Sequence, residues 1–324
     1  MTYEVDVERA ADVLARGGLV AFPTETVYGL GADASQADAV AQIFRVKGRP
    51  STHPLIVHVA RVESLSDWAR AIPPFAQRLA DVLMPGPLTL ILPRSPRASD
   101  AVTGGRDTVG LRVPAHPLAR ALIDALGARR SDRHAGIAAP SANRFGSVSP
   151  TSAAHVHADL GSDDVAVLDG GPCEVGLEST IVDCASEGSP TILRVGGVPR
   201  EALEDVLGAP VPLATEGPAR APGMLAAHYA PRAKVIVASE DTFEDEVRRA
   251  VSRGRRVASL GPRAGLGASL ELVTAADPRE RARTLYATLR ELDARGAEEI
   301  VVALPPATGL GLAIADRLTR ASRA

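Results

Sequence analysis

Lysine, cysteine and aromatic residues are all scarce in this 324-residue chain. Its two lysines, Lys47 and Lys234, stand beside 34 arginines, and Phe, Tyr and Trp together make up only 3% of the residues. So few aromatic side chains argue against a surface that stacks nucleic-acid bases. The two cysteines, Cys173 and Cys184, lack CxxC spacing, which excludes a zinc site of that pattern and a disulfide framework.

No charge of either sign dominates the sequence. The formal net charge is -3, from 36 basic and 39 acidic residues, so a basic site on this chain has to be local. No apolar run approaches the length of about 18 residues that a membrane span needs. With acidic residues close to its start and unpaired thiols, the sequence predicts a soluble, cytoplasmic protein without membrane contact.

Alternating strand and helix patterns predict an α/β fold with a twisted mixed open sheet. The first predicted helix covers 7–16 and feeds a buried strand, Leu19 to Phe22. Further strands are predicted at 55–59, 88–92, 109–113, 136–139, 165–168, 180–183 and 192–195, and further helices at 36–46, 73–83, 117–126, 151–160 and 199–207.

A proline-rich stretch interrupts this alternation. Five prolines and no periodicity between Gly208 and Pro231 predict a first domain at 1–208 and a linker at 209–232. Residues 233–324 are predicted to form a smaller α/β domain of Rossmann-like character. Its strands are expected at 234–238, 257–260 and 300–303, with helices at 241–253, 278–294 and 310–320.

Four polar clusters lie before, within or after predicted strands, and open α/β sheets bind ligands at the ends of their strands. The first, FPTETVYGLG from Phe22, is expected to leave a strand toward a helix. The others are KGRPSTHPLIVH from Lys47, TVGLR from Thr108 and AAPSANRFGSVS from Ala138. Arg112 in a buried strand needs an anionic partner, which the sequence leaves open between a structural acid and a ligand carboxylate.

The cations outnumber what one carboxylate requires, and no nucleophile motif accompanies them. The chain has no GxxxxGK[ST] loop, GxSxG elbow or HExxH motif. Direct phosphoryl or nucleotidyl transfer, in which positioning and charge neutralisation dominate, fits this pattern. The four cations concerned are Lys47, Arg49, Arg112 and Arg194.

Taken in order, these motifs together with GLESTIVD and ILRVGGV resemble the YrdC-like threonylcarbamoyl-AMP synthase family over roughly 15–200. The segment APGMLAAHYAP and the α/β unit after it are similar to the long, two-domain branch of that family. The resemblance implies a nucleotidyltransferase that makes L-threonylcarbamoyladenylate from L-threonine, bicarbonate and ATP, with release of pyrophosphate. This is the first step of threonylcarbamoylation of adenosine in tRNA.

The resemblance also implies roles for individual residues. Lys47 and Arg49 would be catalytic and neutralise charge as pyrophosphate leaves. L-Threonine would contact Thr26, His58, Arg112, Ala139 and Ser179, with Arg112 taking the carboxylate. ATP would contact Arg49, His53, Thr108, Ser141, Ser149, Arg194 and Tyr229. His53 and Ala221 stand where the family more often has Asn and Ser.

Mg2+ is expected with the triphosphate, held by phosphates and water rather than by protein side chains. The linker is expected to act as a lid that keeps water from the labile adenylate. The product would pass to the proteins that transfer threonylcarbamoyl to tRNA, and weak RNA contact is left open.

Two alternatives remain at this point. One keeps the fold but uses carbamoyl phosphate, as the YrdC-like segment of hydrogenase-maturation carbamoyltransferases does. The other is an RNA-binding module, against which the net negative charge of the first 232 residues argues.

Overall fold

A computed structural model describes residues 1–161, 163–186, 189–214 and 229–323. These residues fall into two compact units. The first comprises Met1–Phe145, Pro150–Glu174 and the segment from Glu178, and the second comprises Gly146–Ser149, Val175–Leu177 and the carboxyl-terminal part of the chain. Within the described ranges, no helix is long and apolar enough to cross a bilayer.

The first unit has a ten-stranded mixed sheet among its described residues, in the order β1-β8-β2-β3-β7-β4-β6-β5-β9-β10. The strands are β1 Tyr3–Glu4, β2 Val20–Phe22, β3 Gly29–Asp33, β4 Ile56–Val59, β5 Leu88–Pro93, β6 Thr108–Arg112, β7 Gly136–Ala139, β8 Ala166–Val167, β9 Thr180–Asp183 and β10 Thr191–Arg194. The helices are α1 Val7–Ala15, α2 Ala37–Lys47, α3 Leu65–Trp68, α4 Pro74–Leu83, α5 Asp100–Thr103, α6 Pro117–Arg130, α7 Ala153–Leu160 and α8 Arg200–Leu207, with a 3-10 turn at Val62–Ser64.

The two faces of this sheet are covered differently. Val57 and Val59 of β4 point into the main core with the buried residues of α2 and α4. Ile137 of β7 lies on the other face, where α1 and α6 pack. His58 pairs with Ile137 on one side and with Arg112 on the other, so all three side chains share that face. Beyond α1 and α6, this face therefore carries the polar side chains of His58 and Arg112, beside a small apolar cluster.

Two local features position Lys47. Helix α2 ends at Gly48, whose left-handed φ of 65° suits a residue without a Cβ. Lys47 is thus the last helical residue, and it is buried. The chain then turns away, and the backbone N–H of Arg49 donates to the carbonyl of Phe44 at 3.0 Å.

One sequence prediction is wrong. The segment after β2 does not lead into a helix; it returns as β3, antiparallel to β2, with Phe22 opposite Gly29 and Val20 opposite Gly31. The glycines make this strand possible. A Cβ on Gly31 would lie 2.7 Å from Cγ2 of Ile137 and 2.8 Å from Cε1 of Phe22.

The second unit contains a parallel four-stranded sheet in the order β11-β14-β12-β13. Its elements are β11 Lys234–Ala238, α9 Phe243–Ser252, β12 Val257–Gly261, β13 Leu270–Val273, α10 Pro278–Ala294, β14 Glu299–Ala303 and α11 Leu310–Ala321. The edge strand β13 was not predicted from the sequence. Together the two sheets confirm the predicted α/β fold class.

Candidate active site

Arg112, at the end of β6, is the centre of a buried polar network. The residue is 4% exposed, and its Nη2 donates to Oε1 of Glu25 at 2.7 Å and to Oγ1 of Thr26 at 2.9 Å. Its Nε donates to the carbonyl of Gly86 at 3.3 Å. The second oxygen of Glu25 accepts from the backbone N–H of Ala115 at 3.0 Å. Glu25 is therefore the structural acid that the sequence left open as a partner.

The hydrogen bonds around Thr26 define which of them its hydroxyl donates and which it accepts. Thr24 donates its only hydroxyl proton to the carbonyl of Val27 at 2.6 Å. In the 2.7 Å contact between the two threonine hydroxyls, Thr26 is then the donor and Thr24 the acceptor. Because Thr26 also accepts from Arg112, its oxygen retains one lone pair for a further proton donor.

Ser179 lies just before β9 and is held from two sides. Its Oγ is 2.8 Å from Oγ1 of Thr89 on β5. Nε and Nη2 of Arg194, at the end of β10, donate to the carbonyl of Ser179 at 3.0 and 2.9 Å, and Nη2 also donates to its Oγ at 3.0 Å. Arg194, expected at ATP, thus directly contacts a residue expected at L-threonine.

His58 lies beside Arg112 in the sheet and is 4% exposed. Its ring packs edge-on against Phe22, with the centroids 5.7 Å apart. Burial, followed by the neighbouring Arg112 cation, lowers the pKa of His58 to about 3. The imidazole is therefore neutral at physiological pH. Ala139, at the end of β7, pairs with Ile56 in the same sheet.

Lys47 connects α2 to the fourth cluster. Its Nζ donates to the carbonyl of Ser141 at 2.6 Å and also to the carbonyl of Asn143. Burial, and then repulsion from Arg49, lowers the pKa of Lys47 well below its ordinary value. In its ammonium form Lys47 has three donors, so one remains for a ligand after these two contacts.

Three further residues expected at ATP belong to the first unit: Arg49, His53 and Thr108. Nη2 of Arg49 donates to the carbonyl of Pro54 at 3.1 Å. The ring of His53 packs at 5.8 Å against Phe145, whose backbone N–H donates to the carbonyl of Lys47 at 2.9 Å. Burial and two nearby arginine side chains lower the pKa of His53. Thr108 begins β6 and is half-buried.

Ser149 and Tyr229, also expected at ATP, belong to the second unit. The carbonyl of Ser149 accepts from Nε of Arg290 at 3.4 Å. Tyr229 has a left-handed φ of 66°, stacks on Tyr286 at 5.9 Å between centroids, and has the Arg317 guanidinium 5.0 Å from its ring. Most of the expected lid, including Ala221, lies outside the described residues.

The structure therefore connects Thr26 to Arg112 and Ser179 to Arg194 by hydrogen bonds, and it places His58 next to Arg112. Lys47 and Ser141 form a second connected pair. The sequence did not single out three members of these networks, Glu25, Thr24 and Thr89. The need of a buried Arg112 for an anion was the signal that pointed to an acid such as Glu25. The binding and catalytic roles of the predicted residues remain predictions.

Comparison with known proteins gives a consistent result over both units. A family model described as "Telomere recombination" matches residues 12–196, and one described as "Threonylcarbamoyl-AMP synthase, C-terminal domain" matches residues 198–323. Threonylcarbamoyl-AMP synthase from Pyrococcus abyssi is 43% identical, covering 98% of this chain and 94% of that protein. The Bacillus subtilis protein of the same name is 41% identical, with coverage of 99% and 94%.

Among solved structures, the crystal structure of P. abyssi Sua5 complexed with L-threonine is similar at a TM-score of 0.91 and 39% identity. The match covers 100% of this chain and 98% of that one. These matches confirm the resemblance that the motifs predicted. The chain belongs to the threonylcarbamoyl-AMP synthase family.

Proposed function

We propose that this protein makes L-threonylcarbamoyladenylate from L-threonine, bicarbonate and ATP and releases pyrophosphate, as the first step of threonylcarbamoylation of adenosine in tRNA. Family membership over nearly the whole chain supports this activity, as does the similarity to a structure that contains L-threonine. The match of the second unit to a threonylcarbamoyl-AMP synthase domain favours it over the use of carbamoyl phosphate.

The geometry of Arg112 is the observation that carries the proposal. Two of its three guanidinium nitrogens are engaged by Gly86, Glu25 and Thr26. Its Nη1 has no hydrogen-bond partner in the described part of the chain. An N–H pair on a buried guanidinium is a strong donor to a carboxylate, so Nη1 is suited to the carboxylate of an amino acid.

The residues around Arg112 suit a small polar amino acid. All five residues expected at L-threonine are buried, between 0 and 4% exposed. A substrate held there is removed from water, which strengthens every charged hydrogen bond that it makes. Thr26 offers an acceptor lone pair, and neutral His58 does not add a second cation beside Arg112.

The reaction needs no covalent intermediate on the enzyme. The amine of L-threonine combines with bicarbonate to give N-carboxythreonine and water. A carbamate oxygen then attacks the α-phosphorus of ATP, forming the new P–O bond while the bond to pyrophosphate breaks. Charge moves onto the departing pyrophosphate, and Lys47 and Arg49 are the cations proposed to stabilise it.

Mg2+ enters as part of the ATP substrate in this proposal, held by phosphate oxygens and water. Within the described ranges, no group of three or more His, Cys, Asp or Glu side chains is arranged to hold a metal ion. The residues near Lys47 instead supply backbone carbonyls. A requirement for Mg2+ that follows the ATP concentration would support this role.

The fate of the product completes the proposal. The adenylate is passed to the proteins that transfer threonylcarbamoyl to tRNA, and the linker helps to retain it by excluding water. Tyr229 contacts ATP in this proposal. Tyr229→Ala is then expected to raise the KM for ATP or to release the adenylate faster, and unchanged kinetics would contradict the lid.

The decisive experiment measures pyrophosphate release from Mg-ATP with L-threonine and bicarbonate each omitted in turn. Release should depend on both, and Arg112→Gln should abolish it with the fold retained. Arg130→Gln, which changes an arginine paired with Asp33, is the matched control and should stay active. Release without L-threonine would contradict the proposal. Activity only with carbamoyl phosphate, or RNA binding without turnover, would favour the alternatives.

A further inference from the structure

Glu25 occupies one end of the Arg112 guanidinium. Both side chains are about 5% exposed, and the contact from Nη2 to Oε1 is 2.7 Å long. The other oxygen of Glu25 is fixed by the backbone N–H of Ala115. The carboxylate is thereby anchored at two points, and it holds Nη2 where it is.

This arrangement limits how a substrate can approach Arg112. A free guanidinium offers a carboxylate two edges for paired hydrogen bonds, one formed by Nη1 and Nη2 and one formed by Nη2 and Nε. In this site Nε is engaged by Gly86, and Nη2 by Glu25 and Thr26. Only Nη1 lacks a partner among the described residues.

We propose that Glu25 is a positioning residue: by occupying Nη2 it makes the substrate carboxylate dock on Nη1, and so it sets where the amine of the amino acid lies. The proposal rests on the proposed function. Glu25 acts through Arg112, and its negative charge repels the incoming carboxylate. Glu25 therefore aligns the amino-acid substrate but lowers the affinity of the site for it.

This role predicts that removing Glu25 lowers kcat without weakening the binding of L-threonine. In Glu25→Ala, Arg112 is no longer neutralised, and the Nη2 N–H that donates to Glu25 loses its partner while the one that donates to Thr26 keeps it. L-Threonine should bind at least as tightly as to the unaltered protein, but its carboxylate can then take the vacant place. A displacement of about 1 Å at a reacting centre costs on the order of 100-fold in rate, so kcat should fall at least tenfold. The KM for ATP should not change.

Three comparisons test this. Glu25→Gln keeps an oxygen at Nη2, so it should retain more than a tenth of the original kcat. Formate, a small carboxylate that fits the vacated place, should raise kcat of Glu25→Ala and of no other variant. Asp33→Ala removes another buried carboxylate that pairs with an arginine, and should lower stability without lowering kcat or responding to formate.

The outcomes separate the two proposals. If the unaltered protein releases no pyrophosphate in response to L-threonine, the proposed function fails and the role of Glu25 falls with it. If it does, an undiminished kcat in Glu25→Ala overturns the role of Glu25 alone. A higher KM for L-threonine with unchanged kcat also overturns it. Should Glu25→Ala not fold, Glu25→Gln with less than a tenth of the original kcat overturns it as well.

Discussion

His58 and Arg112 lie directly opposite each other in the parallel strands β4 and β6, with their side chains on one face of the sheet. Burial disfavours a positive charge on His58, and the neighbouring Arg112 cation disfavours it further. These two effects explain why the pKa of His58 falls to about 3. A neutral imidazole beside the guanidinium leaves Arg112 as the cation of this part of the site.

The low pKa of His58 predicts a pH dependence of stability. Between about pH 3 and the ordinary histidine pKa of about 6.5, the unfolded chain binds a proton that the folded protein does not. The contribution of His58 to the free energy of unfolding should therefore be complete above pH 6.5. It should be lost as the pH falls, by at most about 1.4 kcal/mol per pH unit.

Urea unfolding followed by circular dichroism at several pH values between 4 and 7 measures this slope. His58→Gln should flatten it, because glutamine does not titrate. Equal slopes for the two proteins would show that His58 is not the group responsible.

The contacts of Lys47 predict that arginine cannot replace lysine at this position, although arginine is the usual basic residue of this chain. Its ammonium fits between two carbonyls, and a planar guanidinium cannot make the same contacts. Lys47→Met and Lys47→Arg should each lower kcat for pyrophosphate release by about 100-fold, the usual effect of losing one transition-state donor. Lys234→Met, at the exposed start of β11, is the control and should leave kcat unchanged. Full activity of Lys47→Arg would show that charge alone suffices.

Thr89 is expected to act on L-threonine through Ser179. Thr89→Val removes the hydroxyl that lies 2.8 Å from Oγ of Ser179 and leaves the shape of the side chain nearly unchanged. One neutral hydrogen bond is worth about 0.5–1.5 kcal/mol, so the KM for L-threonine should rise about two- to tenfold. The KM for ATP and the thermal midpoint serve as internal references. Thr103→Val, another buried threonine with bonded hydroxyl, should leave both KM values unchanged.

The packing around Gly31, in the hairpin of β2 and β3, predicts that Gly31→Ala lowers the stability of the protein. Alanine there would press a methyl group against Phe22 and Ile137. Overpacking of this kind costs about 1–3 kcal/mol, which chemical denaturation would detect as a lower midpoint. The double variant Phe22→Leu/Gly31→Ala should recover part of the loss, because the smaller side chain makes room. Additive losses in the double variant would contradict a direct clash.

The sequence predicts the large elements well because their patterns are periodic and their ends carry clear signals. Helix α10 has the predicted bounds, 278–294, with Asp277 capping its amino terminus. The hairpin was missed for the opposite reason. Gly29 and Gly31 weaken a strand pattern, and their presence is explained only by the packing of Phe22 against both and of Ile137 against Gly31.

The candidate site also contains some residues that the sequence indicates and others that it does not. Arg112 stands out in the sequence because a charge interrupts an apolar strand, and the requirement for an anion follows from elementary electrostatics. Which acid satisfies it does not follow, since Glu25 is 87 residues away in the chain. Thr89 offers no signal at all, because a threonine within a strand is ordinary until Ser179 is found beside its hydroxyl.

Trp68 is the one tryptophan of the chain, and it lies fully buried in the main core of the first unit. Its indole N–H donates to the carbonyl of His134 at 3.0 Å, and the Arg97 guanidinium lies 4.8 Å from its ring. Tryptophan emission shifts to longer wavelength when water reaches the ring. Emission excited at about 295 nm, where tyrosine absorbs little, therefore reports on the unit that holds Arg112 and Lys47, while the second unit contributes no tryptophan signal.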